Sequence, residues 1–292
     1  MAGVDGFGPD RLPSALVLTF DNLGEASALE RGTQPPDVPL GRDPSVLEAL
    51  PWLLDELERH RVSATFFVEA INCELYPDAV REIAARGHEV GHHGWAHETW
   101  GSLAAENERD ALLRGVRAFE ALGLRPRGFR PPGGELTSRS PRLLRENGFD
   151  WCSPEGSDAQ VAGGLAYIPF DWDLVDAYHL MDSFASLRGE RGDPEAPRDP
   201  DALAAHLEQR LTAGRAHVRA ATKQEGGRDH EQPEDDGHHE GKRPPLMEPE
   251  APRRVTDQVS SSGSGWGLFR VLRMRTKSCA RASAFQRSGK KS

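Results

Sequence analysis

His93 and His97 stand four residues apart in the run Gly87-His88-Glu89-Val90-Gly91-His92-His93-Gly94-Trp95-Ala96-His97-Glu98. That spacing lets two imidazoles face one metal ion from a single turn of chain. Histidine pairs so spaced also occur as plain surface residues. Here a short strand and its glycines precede the pair and set it at a strand end. A second cluster, Leu18-Thr19-Phe20-Asp21-Asn22, ends an apolar run in two side chains that can bind metal or move a proton. An Asx turn would use the same residues. A third, Gly128-Phe129-Arg130-Pro131-Pro132-Gly133-Gly134, puts an arginine before a rigid and then flexible loop. Arg130 could pair with a carboxylate and hold it ionised; the plain alternative is a turn with an exposed arginine. The fourth, Ile168-Pro169-Phe170-Asp171-Trp172-Asp173, again ends an apolar run in acids beside an aromatic wall. A core tryptophan next to surface acids would look the same.

The elements that must hold these clusters alternate. Strands are expected at Ala15–Phe20, Ser63–Val68, His88–Gly91, Gly128–Arg130, Phe149–Ser153 and Leu165–Phe170. Helices are expected over Pro44–His60, Pro77–Arg86, from a Ser102 cap to about Leu122, from Ser140 to Gly148, and over Asp201–Leu211. Short loops between alternating strands and helices imply a mostly parallel α/β sheet, either open or an incomplete barrel. In a parallel barrel the chemistry sits after the C-terminal ends of the strands, which is where Asp21-Asn22, His92-His93, Arg130 and Asp171 fall.

Composition narrows the field. The 292 residues carry a net charge of -10, so a phosphate backbone is repelled and no specific nucleic-acid partner is expected. Cys73, Cys152 and Cys279 form no CxxC pair, which leaves neither a disulfide framework nor a thiolate zinc site. The first residues lack a basic segment followed by a long apolar run, so the expected location is cytoplasmic, with no membrane partner. After about Leu211 the text changes to charge-rich, proline-rich and Ser/Gly-rich stretches, and Arg270 to Lys291 holds eight basic residues and no acidic one. Residues 212–292 are therefore expected to form a disordered, low-complexity tail behind a domain spanning 1–211.

Taken in order, the four clusters resemble the polysaccharide deacetylase family, the NodB homology domain of carbohydrate esterase family four. Thr19-Phe20-Asp21-Asn22 is similar to the family's TFDDG motif, His93-Gly94-Trp95-Ala96-His97 to its HSxxH or HTxxH motif, and Arg130-Pro131-Pro132 to its Arg-x-Pro motif. The text around the histidines also resembles the branch holding peptidoglycan deacetylases and the allantoinase-like cyclic-amide hydrolases. The resemblance implies a distorted (β/α) barrel. It implies Asp21 as general base oriented by Arg130, Asn22, His93 and His97 as metal ligands, and Pro131 and Trp172 beside the substrate. The implied cofactor is a divalent ion, zinc first, with cobalt, nickel or manganese as alternatives.

Two departures stand out. Asn22 replaces the family's usual second aspartate, so the metal is offered less charge. The family's closing apolar strand with its acid histidine has no counterpart after Asp173; His206 and His217 lie in helical or polar text. The barrel is thus expected to lack its last strand, as if a shifted reading frame had replaced the ending. The expected activity is metal-dependent hydrolysis of a non-peptide carbon–nitrogen bond, deacetylating an N-acetylated carbohydrate. A cyclic-amide hydrolase, or a degenerate domain that only binds metal or sugar, are the alternatives; oligomeric state is left open.

Overall fold

The protein is described by a computed structural model covering residues 16–225, with side chains through residue 212. One sheet organises it. Its strands are β1 (Thr19–Phe20), β2 (Thr65–Val68), β3 (Glu89–His92), β4 (Gly128–Phe129), β5 (Trp151–Cys152), β6 (Gln160–Ala162) and β7 (Leu165–Tyr167), in the order β1-β2-β3-β4-β5-β7-β6. Every neighbouring pair is parallel except β6 with β7. The helices are α1 (Ala26–Glu30), α2 (Leu50–His60), α3 (Asn72–Leu75), α4 (Pro77–Ala85), α5 (Ala105–Ala121), α6 (Ser140–Glu146), α7 (Asp176–Leu180), α8 (Ala185–Glu190) and α9 (Pro200–Glu225).

Local chemistry explains these elements. β2 reads TFFV and is buried at all four positions, as a strand covered on both faces must be. α2 buries Leu50, Leu53, Leu54 and Leu57, one stripe of a helix. Pro77 opens α4, and Gly87 at φ 80° follows its end. The largest apolar cluster joins Phe20, Phe66 and Val68 of the sheet to the α2 leucines, Val80, Ile83 and Phe119.

The expected helix from Ser102 begins later. Ser102 Oγ donates to the Thr99 carbonyl at 2.9 Å, and α5 starts at Ala105 with no side-chain cap. Before α2, Ser45–Ala49 form a π-helical turn. β6 was not expected; it hairpins onto β7 through Gly163 and Gly164, both at positive φ, a backbone that two-residue hairpins demand. α9 continues to Glu225, past the Leu211 at which the sequence pattern ends it. The rest of the expected tail, with Cys279, lies outside the described residues.

The sheet is curled. Arg130, just after β4, donates to Thr19 of β1 at 3.0 Å. On a flat sheet β1 and β4 would stand ~14 Å apart, three strand spacings, farther than an arginine reaches. A cavity of about 800 Å³ is lined by Val17 and Leu18 before β1 and also by Trp151, the first residue of β5. First and late strands share this space, which is the geometry of a barrel and not of a flat sheet.

Candidate active site

Five consecutive strands of the curled sheet end in functional side chains: Asp21 and Asn22 after β1, Glu69 after β2, His93 after β3, Arg130 after β4 and Ser153 after β5. Asp21, Asn22, His93, His97, Arg130, Pro131 and Trp172 all line one cleft of about 540 Å³. The seven residues that the resemblance assigns to the site thus meet at one place.

Arg130 is the hub. Its side chain is 2 % exposed and lies 3.0 Å from Asp21 Oδ2. The same Nη1 donates to Thr19 Oγ1 at 3.0 Å, and Nη2 donates to Ser153 Oγ at 2.9 Å. Phe67 and Phe170 flank the guanidinium, 4.3 and 4.9 Å from its carbon. A buried cation held this way on a carboxylate keeps that carboxylate anionic and fixed. Leaving either charge alone in this setting would be strongly unfavourable.

The histidines are set by backbone. His93 Nδ1 donates to the Arg130 carbonyl at 2.8 Å, so Nε2 keeps its lone pair for the cleft. Gly94, at φ 73°, starts a turn that returns His97 beside His93, with ring centroids 5.1 Å apart. Glu98 pins that turn, accepting from the amides of Trp95 at 2.9 Å and Ala96 at 3.0 Å. A Cβ at residue 94 would come within 2.6 Å of Glu98 Oε2, so glycine is required. His97 sits at φ 72° and Asn22 at φ 57°, left-handed conformations that non-glycine residues adopt at some energetic cost. Burial pushes both His93 and His97 down to about 3, which leaves them neutral at ordinary pH.

Asn22 Oδ1 and Glu69 Oε1 are buried without a hydrogen-bond partner. Glu69 is fully buried, and burial raises its carboxyl well above the usual carboxylate range. One carboxylate oxygen of Glu69 and one ring nitrogen from each of His93 and His97 lie within 4.8 Å of one another. Two imidazoles, a carboxylate and an amide oxygen are donors that suit a divalent ion such as zinc.

The fourth cluster divides its work. Trp172 lines the cleft, packed on Phe170 and Phe184 at 5.1 and 5.5 Å between centroids. Asp171 and Asp173 instead bind α9: Arg210 pairs with both, at 3.0 and 2.7 Å, and His206 lies 2.9 Å from Asp173. His206 is therefore a structural partner of Asp173. Met181 and Phe184, between α7 and α8, and Leu187 and Glu190 of α8 also line the cleft. Sequence reasoning missed these four, along with Glu69, Glu98 and Ser153. Glu69 alone carried a signal, an acid directly after the fully apolar β2.

Residues 13–151 match the family model of polysaccharide deacetylase. The chain is 33% identical over 104 residues to peptidoglycan-N-acetylglucosamine deacetylase of Bacillus cereus, covering 35% of this chain and 38% of that protein. The match spans little more than a third of the length of that protein and of the Helicobacter pylori peptidoglycan deacetylase, to which the chain is 32% identical over 103 residues. Among solved structures, a candidate polysaccharide deacetylase from Mycobacterium smegmatis superposes with a TM-score of 0.60 at 26% identity, over 75% of this chain and 78% of that one. PuuE allantoinase superposes with a TM-score of 0.55 at 16% identity, over 90% and 84%, a likeness of fold. Residues 13–151 are thus similar to the polysaccharide deacetylase family, and the α/β architecture is shared with the solved deacetylase and allantoinase folds.

Proposed function

We propose that the chain is a metal-dependent hydrolase of non-peptide carbon–nitrogen bonds that deacetylates an N-acetylated carbohydrate. The observation that carries this reading is the buried Asp21–Arg130 pair set beside His93 and His97 on one aromatic-walled cleft. His93 and His97 would hold the ion, with the Asn22 amide oxygen beside them. When bound, a divalent ion, zinc first and cobalt, nickel or manganese as alternatives, would polarise the amide carbonyl and acidify water at the site. Asp21, kept anionic by Arg130, takes the proton as water attacks the carbonyl carbon. Pro131 and its glycine-rich loop fix one wall of the cleft, and Trp172 offers a flat apolar face to a sugar ring.

Two kinds of substrate fit. An N-acetylated glycan agrees with the peptidoglycan deacetylase named among the relatives. A cyclic amide is the second reading, favoured by a half-open cleft, lined by residues between α7 and α8 and in α8, whose volume suits a small molecule. Acetate release from acetylated chitooligosaccharides, run beside ring opening of cyclic ureides, separates the two. Zinc-loaded protein that turns over neither class would leave a domain that binds metal or sugar without catalysis. Zinc content unchanged in a His93→Ala, His97→Ala double variant would overturn the metal site itself.

A further inference from the structure

We propose that Glu69 supplies the anionic protein ligand of the metal centre, the part that Asn22 cannot play. This rests on the metal-dependent reading above and names the third donor of the same site.

Three observations meet on Glu69. It follows β2 directly, so it stands at the same C-terminal rim as Asp21, His93 and Arg130. Its carboxylate is wholly buried, yet Oε1 has no hydrogen-bond partner. A buried, half-satisfied carboxylate is costly, and such atoms call for an unseen partner such as an ion. Finally, a Glu69 oxygen falls within 4.8 Å of ring nitrogens of both His93 and His97.

Charge makes the same argument. The negative charge of Asp21 is matched by Arg130 at 3.0 Å. Two neutral imidazoles and the Asn22 amide would leave a doubly charged cation uncompensated in a buried corner, close to a guanidinium. Glu69 lowers that excess by one unit and completes a two-histidine, one-carboxylate set with room for a substrate oxygen. Asn72 orients the carboxylate: its Nδ2 donates to the Leu23 carbonyl at 2.9 Å and stands 3.4 Å from Glu69 Oε2.

The test is zinc binding by the full chain, measured by competition with a chelator, for wild type, Glu69→Gln, Asn22→Ala and the His93→Ala, His97→Ala double variant. Glu69→Gln should weaken zinc at least ten-fold and alter the visible spectrum of the cobalt-substituted protein. Its metal-free melting temperature should hold, because the amide has nearly the same size and shape as the carboxyl, while the gain on adding zinc shrinks. Asn22→Ala should weaken zinc less than Glu69→Gln. A crystal structure of zinc-soaked wild type gives an answer that needs no variant: a Glu69 oxygen should stand about 2.0–2.2 Å from the ion. Normal zinc affinity and an unchanged cobalt spectrum in Glu69→Gln, or zinc bound in the crystal with Glu69 outside its ligand shell, would overturn the inference and leave the metal-dependent reading standing. Wild type that takes up no zinc would overturn both.

Discussion

Asp21 shows how much a single side chain can be asked to do. It is 4 % exposed, fixed by a buried arginine at 3.0 Å, and borders the cleft. Replacing it with asparagine keeps shape and removes the base. Asp21→Asn should lower turnover about 10²–10⁴-fold, the usual worth of general acid–base catalysis, while zinc content stays at the wild-type level. Turnover close to wild type, read by acetate release, would assign the proton transfer elsewhere. The type and order of the strand-end residues were legible in the sequence, because Asp21, His93 and Arg130 interrupt apolar text abruptly. Glu69 was not read as a site residue. Nothing local told an acid that faces a metal corner from one that turns to solvent, and the parallel pairing of β2 with β3, Val68 beside His92, is what brings it to the histidines. In the fourth cluster Trp172 reaches the cleft, while α9 holds Asp171 and Asp173, and their partner Arg210 lies outside the motif.

At the scale of elements, α5 must press closely on β3 for His92 and His93 to sit where they do. Gly115 in the middle of α5 makes that possible. A Cβ there would fall 2.1 Å from His92 Nε2 and 3.0 Å from the Ala70 Cβ. In an exposed helix interior, glycine to alanine stabilises by about 1 kcal/mol. Gly115→Ala should do the reverse and lower the midpoint of denaturant unfolding, because overpacking typically costs about 1–3 kcal/mol. A raised midpoint would mean that α5 stands off β3. The loop ahead of α9 rests on His179, which is fully buried. Its Nε2 donates to the Asp173 carbonyl at 3.0 Å and its Nδ1 accepts from Arg198 Nε at 3.0 Å, a pattern that only the neutral ring can make. Burial lowers its pKa below the ordinary 6.5, so the unfolded chain takes up a proton first as pH falls. This contribution to stability is therefore whole above about pH 6.5 and is lost as pH drops through the lowered value. Unfolding midpoints measured from pH 7.5 down to 5 should fall, and His179→Gln should flatten the slope; an unchanged slope would place the acid sensitivity elsewhere. The helices were legible where apolar spacing repeats, as in α2 and α4. The start of α5 was not, because Ser102 spends its hydroxyl on Thr99.

For the whole molecule, curling the sheet gathers five strand ends around one cleft and leaves the roof to segments beyond β7. That division decides how fast the chain can work. Once water has added to the amide carbonyl, the departing nitrogen needs a proton. Among the described residues, no histidine other than His93 and His97 lines the cleft, and both are turned to the metal corner. Asp21 is tied to Arg130 and is assigned to the attacking water. The other carboxyl group on the cleft wall is Glu190, at the end of α8. It comes from a mostly exposed helix end and not from the buried rim, so it is a poorly positioned donor. The sequence pointed this way when no apolar strand with a histidine followed Asp173, although it could not say what would stand on the far wall. Turnover of an acetylated chitooligosaccharide should therefore fall at least about 10²-fold short of the roughly 10 per second typical of enzymes. Glu190→Gln should change that slow rate less than three-fold. A rate near 10 per second that collapses in Glu190→Gln would make α8 the source of the proton and the roof a working half of the active site.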